Sequence, residues 1–415
     1  MSLFQKFQLA ASVAFVVLAG CDVAAPEEMK KAVPHQDLAM AAQMLLPVPG
    51  CPLAALDTDS DGICDLVEAV LGTNPNSTDT DGDRLGDYAE AFGFGGILDL
   101  PTLGANPRKK DVFVEADYYP GLRPSQAALN RVITSFANAP VTNPDGTSGI
   151  TLHVVVDQEI AAADADLDLS PAWWEFGILK NKYFAAARAP YFHYMVFAHQ
   201  YDGGNSTGYS FGAPAHDFLV TMGFMGGGSE LEQAGIFMHE LGHNLGLLHG
   251  GDDNDNFKPN YLSVMNYEYG FYGFRFNNAL VFDYSRVQVA AFDEANVFEL
   301  VALTPIPPTT VNDLGSFTAL RVNGRVIYGN GNHADFNGNG NLDFRRYAMD
   351  FDGSGTADKV FRAAQNDWMA LRFDGGGEIG FAAPGLVQNL GREERYLIPP
   401  EEMKPCLPWD EFSAR

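Results

Sequence analysis

Along residues 111–117 acidic positions Asp111, Glu115 and Asp117 interleave with Val112, Val114 and Ala116. A period of two turns successive side chains to opposite faces, so this run predicts a strand. Residues 124–137 change period. Leu129, Val132, Ile133 and Phe136 fall at i, i+3, i+4 and i+7, one face of a helix. Apolar runs at 150–156, 191–198 and 217–221 predict three further strands. A long helix is expected from Ser229, because Ser229 followed by Glu232 is a capping-box pattern. Strands interleaved with helices predict an α+β domain of catalytic size over residues 108–303. The Pro-rich stretch 304–310 then reads as a boundary, followed by a loop module over 304–374 and a tail over 375–415.

Composition narrows the classes. The chain has 415 residues, and 46% hydrophobic with 12% aromatic content is enough to fill a core, which excludes a disordered protein. A net charge of −27 argues against nucleic acid as a partner, because a polyanion would be repelled. The charge is also unevenly placed. Residues 51–100 hold 11 acids and one base, Arg84, a density that divalent cations would explain and a packed core would not.

The N-terminus reads as an export address. An apolar run over residues 9–18 follows Lys6, and Leu18, Ala19, Gly20 and Cys21 come next. That tetrad resembles the bacterial lipobox, which implies a signal peptide over 1–20, lipid on Cys21, a tether over 21–50 and an exported, membrane-anchored lipoprotein at the cell envelope or surface. Membrane contact is then expected only through the N-terminal lipid. Cys51, Cys64 and Cys406 remain. In an exported chain they can pair, Cys51 with Cys64 or either with Cys406, and the spacing does not choose.

The strongest chemical signal is His239, Glu240, His243, Gly246 and His249. His239 and His243 are one helical turn apart and project from one face, a spacing at which two imidazoles share one Zn²⁺. Gly246 can end the helix in the left-handed conformation, which lets His249 return as third ligand. Three neutral imidazoles leave a fourth zinc position for water, and Glu240 stands beside the first ligand as the general base. Sixteen residues after His249 come Met265 and, two further on, Tyr267.

These residues resemble the metzincin clan of zinc peptidases, whose signature is HExxHxxGxxH followed by a Met-turn. The resemblance implies a twisted mixed sheet, an active-site helix and a lower subdomain after Gly246. It also implies that Met265 lies beneath the metal and that Tyr267 is an extra ligand or an oxyanion donor. The aromatic residues Tyr269, Phe271, Tyr272 and Phe274 read equally as a substrate pocket wall or as packing. The acidic run at Asp252, Asp253 and Asp255 reads as a loop rather than a further calcium site.

Residues 51–107 carry a second metal pattern. Asp57, Asp59, Asp61, Asp65 and Glu68 occupy positions 1, 3, 5, 9 and 12 of a twelve-residue EF-hand-type loop, with Gly62 at position 6. Asp79, Asp81, Asp83, Asp87 and Glu90 repeat the spacing, with Arg84 in place of the glycine. The pair resembles thrombospondin type 3-like repeats, which implies Ca²⁺ ordering a segment with little core. Two further loops, Asp335, Asn337, Asn339 and Asp343, and Asp350, Asp352 and Asp358, keep the early positions but lack a carboxylate at position 12. They read as degenerate calcium loops.

The expectation is therefore a calcium-stabilised zinc endopeptidase acting on protein or peptide substrate, with Zn²⁺ and Ca²⁺ as cofactors and oligomeric state open. The alternative is a calcium-dependent surface adhesion or scaffold lipoprotein whose zinc domain is vestigial.

Overall fold

The computed structural model describes residues 55–93 and 98–373. The expected signal segment and lipidation site Cys21, and Cys51 and Cys406, lie outside the described residues. Among the described residues no helix is long and apolar enough to cross a membrane. The chain divides into two compact units, one reaching Asp111 and including Asn143–Thr147, the other Val112–Thr142 with everything from Ser148 onward.

The first unit is built from short helices between acidic loops. Helix α1 spans Asp65–Leu71 and α2 spans Asp87–Phe92. Its apolar centre is small: Ile63, Leu71, Ala91 and Phe92, with Val67 and Tyr88 against them. Leu85, Ala89, Leu98 and Leu100 of this unit are buried as well. Cys64, at the start of α1, is disulfide-bonded.

The second unit is a mixed α+β fold. Strand β1 (Asp111–Tyr118), helix α3 (Gln126–Ala137), strand β2 (Thr151–Glu159), helix α4 (Ala172–Tyr183) and strands β3 (Phe192–Ala198), β4 (Gly208–Ser210) and β5 (Asp217–Thr221) precede the long helix α5 (Glu230–Asn244). The sheet order is β2-β1-β3-β5-β4. Strands β1 and β3 run parallel, as do β3 and β5, whereas the edge strand β4 runs antiparallel to β5. Helix α3 starts where Ser125 accepts a hydrogen bond from the Ala128 amide, and it buries Leu129, Val132 and Phe136. Those three pack in one core with Ile236, Phe237 and Leu241 of α5.

After α5 come hairpin strands β6 (Phe274–Phe276) and β7 (Ala279–Val281), the short β8 (Phe292–Asp293), β9 (Phe317–Val322), β10 (Arg325–Ile327) and β11 (Val360–Phe361). Strands β10-β9-β6-β7 form a second sheet, and β11 pairs with β8. This corrects the expectation of a separate module over 304–374. Leu314, Phe317, Leu320, Phe336, Phe351, Phe361 and Trp368 share one core with Ile236 and Met265. The Asp/Gly loops of this stretch suggested a separate piece, but the apolar residues between them face the core beneath α5.

Candidate metal centre

Helix α5 is set by its ends. Ser229 Oγ accepts from the Glu232 amide, and the Ser229 amide donates to Glu232 Oε2 at 2.6 Å, a complete capping box. The helix closes at Asn244, and Gly246 (φ +87°) reverses the chain. His239, Glu240 and His243 on this helix are buried, and His249 beyond the reversal is nearly so.

The hydrogen bonds fix which nitrogens face one another. His239 Nδ1 lies 2.9 Å from the Val264 carbonyl, and His243 Nδ1 lies 2.7 Å from the Leu247 carbonyl. A carbonyl can only accept, so each Nδ1 carries the hydrogen and each Nε2 presents its lone pair. His243 Nε2 and His249 Nε2 are 3.2 Å apart, and one nitrogen from each of the three rings lies within 4.8 Å of the others. Tetrahedral ligands about 2.0–2.1 Å from zinc are separated by roughly 3.3 Å, so the measured spacing suits a shared ion. Burial lowers His239 to about 4 and His243, with His239 beside it, to about 3. At neutral pH both rings are uncharged, the state that binds a metal. His239 Nε2 is buried with no hydrogen-bond partner, an orphan that a cation would satisfy.

The surroundings hold this arrangement. A Cβ at Gly242, between His239 and His243, would sit 2.3 Å from Met265 Sδ, so the fully buried Met265 packs directly against the helical turn that carries these two rings. Asn266 pins that turn by donating through Nδ2 to the Lys258 and Tyr261 carbonyls, at 2.8 and 3.0 Å. The Tyr267 ring lies 4.7 Å from the His249 ring and 5.6 Å from the His239 ring, centroid to centroid. A Cβ at Gly208, on edge strand β4, would meet Glu240 Oε1 at 2.3 Å. The strand thus passes the carboxylate at a distance only a hydrogen atom allows.

Several supporting residues carry no sequence signal. Asn244 Oδ1 accepts from His193 Nδ1 at 3.0 Å, and its amide donates to Ser210 Oγ at 2.8 Å, which ties α5 to strands β3 and β4. Lys180 and Asp217 form a buried 2.6 Å ion pair beside them. Beneath the Met265 turn, buried Asp367 accepts from the Tyr261 hydroxyl (2.8 Å) and the Ser285 amide (2.9 Å). Among the aromatic residues that left two readings open, Tyr269, Phe271 and Phe274 are core, and Tyr272 is exposed under Arg321. The loop after His249 has basic partners for its acids: Lys258 with Asp253, Lys359 with Asp255 and Arg362 with Asp252.

The four Asp-rich loops share one backbone device. The position-1 carboxylate accepts from the amide at position 6: Asp57 from Gly62, Asp79 from Arg84, Asp335 from Gly340 and Asp350 from Gly355. Position 6 has φ of +96°, +73°, +89° and +91° in turn, so Arg84 is held in a conformation that glycine adopts freely. Asp59 and Asp61, and likewise Asp81 and Asp83, each accept from the amide two residues on. Asp65 and Asp87, at position 9, also bond within their own loops. Both oxygens of Asp65 take hydrogens from Thr58, and both of Asp87 from Thr80, so position 9 braces the loop.

The N-terminal and C-terminal loops differ in what is left over. Asp59 Oδ2, Asp61 Oδ2, Glu68 Oε2, Asp81 Oδ2 and both Glu90 oxygens are buried without a hydrogen-bond partner. Burial and facing carboxylates raise Asp61 to about 6 and Glu68 to about 7, and push Asp83 and Glu90 well above the carboxylate range. A dication would stabilise the ionised forms. In the loop from Asp335, backbone amides fix Asn337 Oδ1 and Asn339 Oδ1, so both side-chain amides donate to Asp343 Oδ2. Glu299 accepts from the Asn337 and Asp343 amides, and Glu294 from the Phe351 and Lys359 amides. Lys359 Nζ lies 3.4 Å from Asp352, and Asp358 is exposed. These loops are tied by groups of the second unit's own chain.

No protein-family model matches the chain, and no curated protein matches it. Among solved structures, one described as "Structure of a chaperone-substrate complex" aligns with 16% identity and a TM-score of 0.25, over 42% of this chain and 32% of that one. The chain thus spans about a third of that structure's length, and a likeness this slight carries no argument.

Proposed function

We propose that this chain is an exported zinc-dependent endopeptidase of the metzincin type, stabilised by Ca²⁺ in residues 57–90. One observation carries the reading: three buried imidazoles bring one nitrogen each within 4.8 Å of the others, and His239 and His243, with Nδ1 committed to carbonyls, are left with Nε2 lone pairs. Such a donor set fits a transition-metal ion and gains nothing from burial otherwise. The mixed sheet, the helix and the reversal at Gly246 agree with the layout the resemblance implies.

His239, His243 and His249 would hold Zn²⁺, which supplies Lewis acidity and lowers the pKa of a water toward ~7. Glu240 accepts one proton from the attacking water as its oxygen bonds to the scissile carbonyl carbon. The C–N bond breaks, and Glu240 returns that proton to the leaving amine. Tyr267, whose ring lies 4.7 Å from that of His249, can donate its hydroxyl hydrogen to the developing oxyanion. No covalent adduct with the chain forms. The N-terminal pattern supports export and lipid attachment at Cys21.

The test is Glu240→Gln assayed on a generic protein substrate alongside zinc content. Retained zinc with cleavage reduced at least a thousandfold is expected. Cleavage by the variant at the parent rate overturns the role of Glu240, and parent protein that binds no zinc overturns the reading as a whole.

A further inference from the structure

The Asp-rich loop motif ends at Glu90, but the carboxylates it gathers do not. Asp111, twenty-one residues on and the first residue of β1, brings an oxygen within 4.8 Å of oxygens on Asp83 and Glu90. All three side chains are at most 2% exposed. The loop carboxylates Asp79, Asp81 and Asp83 form a second such group, so Asp83 belongs to both.

We propose that Asp83, Glu90 and Asp111 hold a Ca²⁺ of their own, distinct from the ion of the loop Asp79, Asp81 and Asp83 and sharing Asp83 with it. The observation that points to a ligand is Glu90. It is 1% exposed, and neither of its carboxylate oxygens has a hydrogen-bond partner. An uncompensated carboxylate in that setting is costly by several kcal/mol. Asp83 and Asp111 are oriented beside it by the backbone: Asp83 accepts from the Leu85 and Asp111 amides at 2.8 and 2.6 Å, and Asp111 Oδ2 accepts from the Asn106 amide at 2.8 Å.

Charge decides between one ion and two. Asp79, Asp81, Asp83, Glu90 and Asp111 bring five negative charges. With the Lys110 ammonium counted, one dication would leave two uncompensated in a buried setting. Two dications, with the Lys110 ammonium lying against Gly82, balance all five. All-oxygen donors select a hard cation, and Ca²⁺ tolerates the irregular geometry that shared carboxylates impose. This site does not depend on the zinc reading.

The experiment is calorimetric Ca²⁺ titration of the full chain, with calcium counted per chain after desalting. Asp111→Asn keeps the acceptor for the Asn106 amide and removes the charge. It is expected to lose one Ca²⁺, or to weaken one at least tenfold, and Glu90→Gln is expected to affect the same ion, so that the double variant loses no more than either. Asp57→Asn should lose a different ion, additively with Asp111→Asn. Zinc content and circular dichroism report whether each variant is folded, and Glu90→Gln serves if Asp111→Asn is not. Binding by folded Asp111→Asn and Glu90→Gln that superimposes on that of the parent overturns the proposal, as does parent protein that binds no Ca²⁺.

Discussion

Replacing Gly208 by alanine inserts one methyl group into the space Glu240 occupies. The new Cβ would stand 2.3 Å from Oε1 and 2.7 Å from both Cδ and Cγ of Glu240. Ordinary carbon–oxygen contact begins near ~3.4 Å, so the carboxylate must retreat by about 1 Å. Gly208 does not need a left-handed backbone, so alanine is accepted on the strand, and reduced freedom of the unfolded chain even favours it by ~0.4–1 kcal/mol. The whole penalty then falls on the position of the proposed base. A misplacement of about 1 Å costs on the order of 10²-fold in rate, or ~2.7 kcal/mol of barrier. Expected is kcat/KM down about a hundredfold, zinc content unchanged and Tm within a few degrees. Gly242→Ala is the internal control. Its Cβ meets Met265 Sδ at the same 2.3 Å, but also Tyr284 Cε1 at 3.0 Å, inside a packed core. It should cost ~1–3 kcal/mol of stability first. Gly208→Ala with parent activity would refute Glu240 as the base held by this strand. Loss of zinc from it would refute the claim that the carboxylate alone absorbs the clash.

Calcium removal by a Ca²⁺-selective chelator should expose residues 55–93 to added protease well before residues 112–373. Their orphaned carboxylates repel once uncompensated, and their apolar centre is small. A cleavage map unchanged by the chelator would count against cation-held loops. Asp367 gives a pH test. Burial raises its carboxyl from 3.8 to about 6, so its native form holds a proton that the unfolded chain releases near pH 4. A raised folded pKa means stability present at low pH and lost as pH rises through about 6, worth about 1.4 kcal/mol between pH 5 and 8. Asp367→Asn should lack that loss, and parallel urea-melt profiles across the two pH values would sink the argument.

Much of this was legible because period and capping are local. The strands read at 111–117, 191–198 and 217–221 are Asp111–Tyr118, Phe192–Ala198 and Asp217–Thr221, and the helix read from Ser229 starts at Glu230 behind its cap. What escaped is nonlocal or short. Strand β4 has three residues and begins with the glycine that admits Glu240, so it shows neither length nor alternation. Helix α4 contains Trp173, Trp174 and Ile178 on its exposed side, which blurs an amphipathic period. Asn244 and Asp367 act through partners 34 to 106 residues away and Asp111 across a loop motif's end, and no spacing rule reaches them.

The Asp-rich loops show most directly why a motif alone underdetermines chemistry. All four share the amide that closes position 6 onto position 1, so that hydrogen bond does not separate the loops from one another. The difference lies in the unused oxygens. Around Asp335 and Asp350 the chain brings Glu294, Glu299, Lys359 and two Asn amides to the loop, and these bond the amides and carboxylates that a free loop would leave to solvent or ion. Around Asp57 and Asp79 the loops' own Glu68 and Glu90 keep carboxylate oxygens buried without a hydrogen-bond partner, and Asp111 stands beside Glu90. A residue pattern repeated four times therefore divides into two physical classes. The dividing feature is whether the chain supplies hydrogen-bond partners to the loop or leaves carboxylate oxygens buried without them, and in the C-terminal loops those partners come from up to 65 residues away.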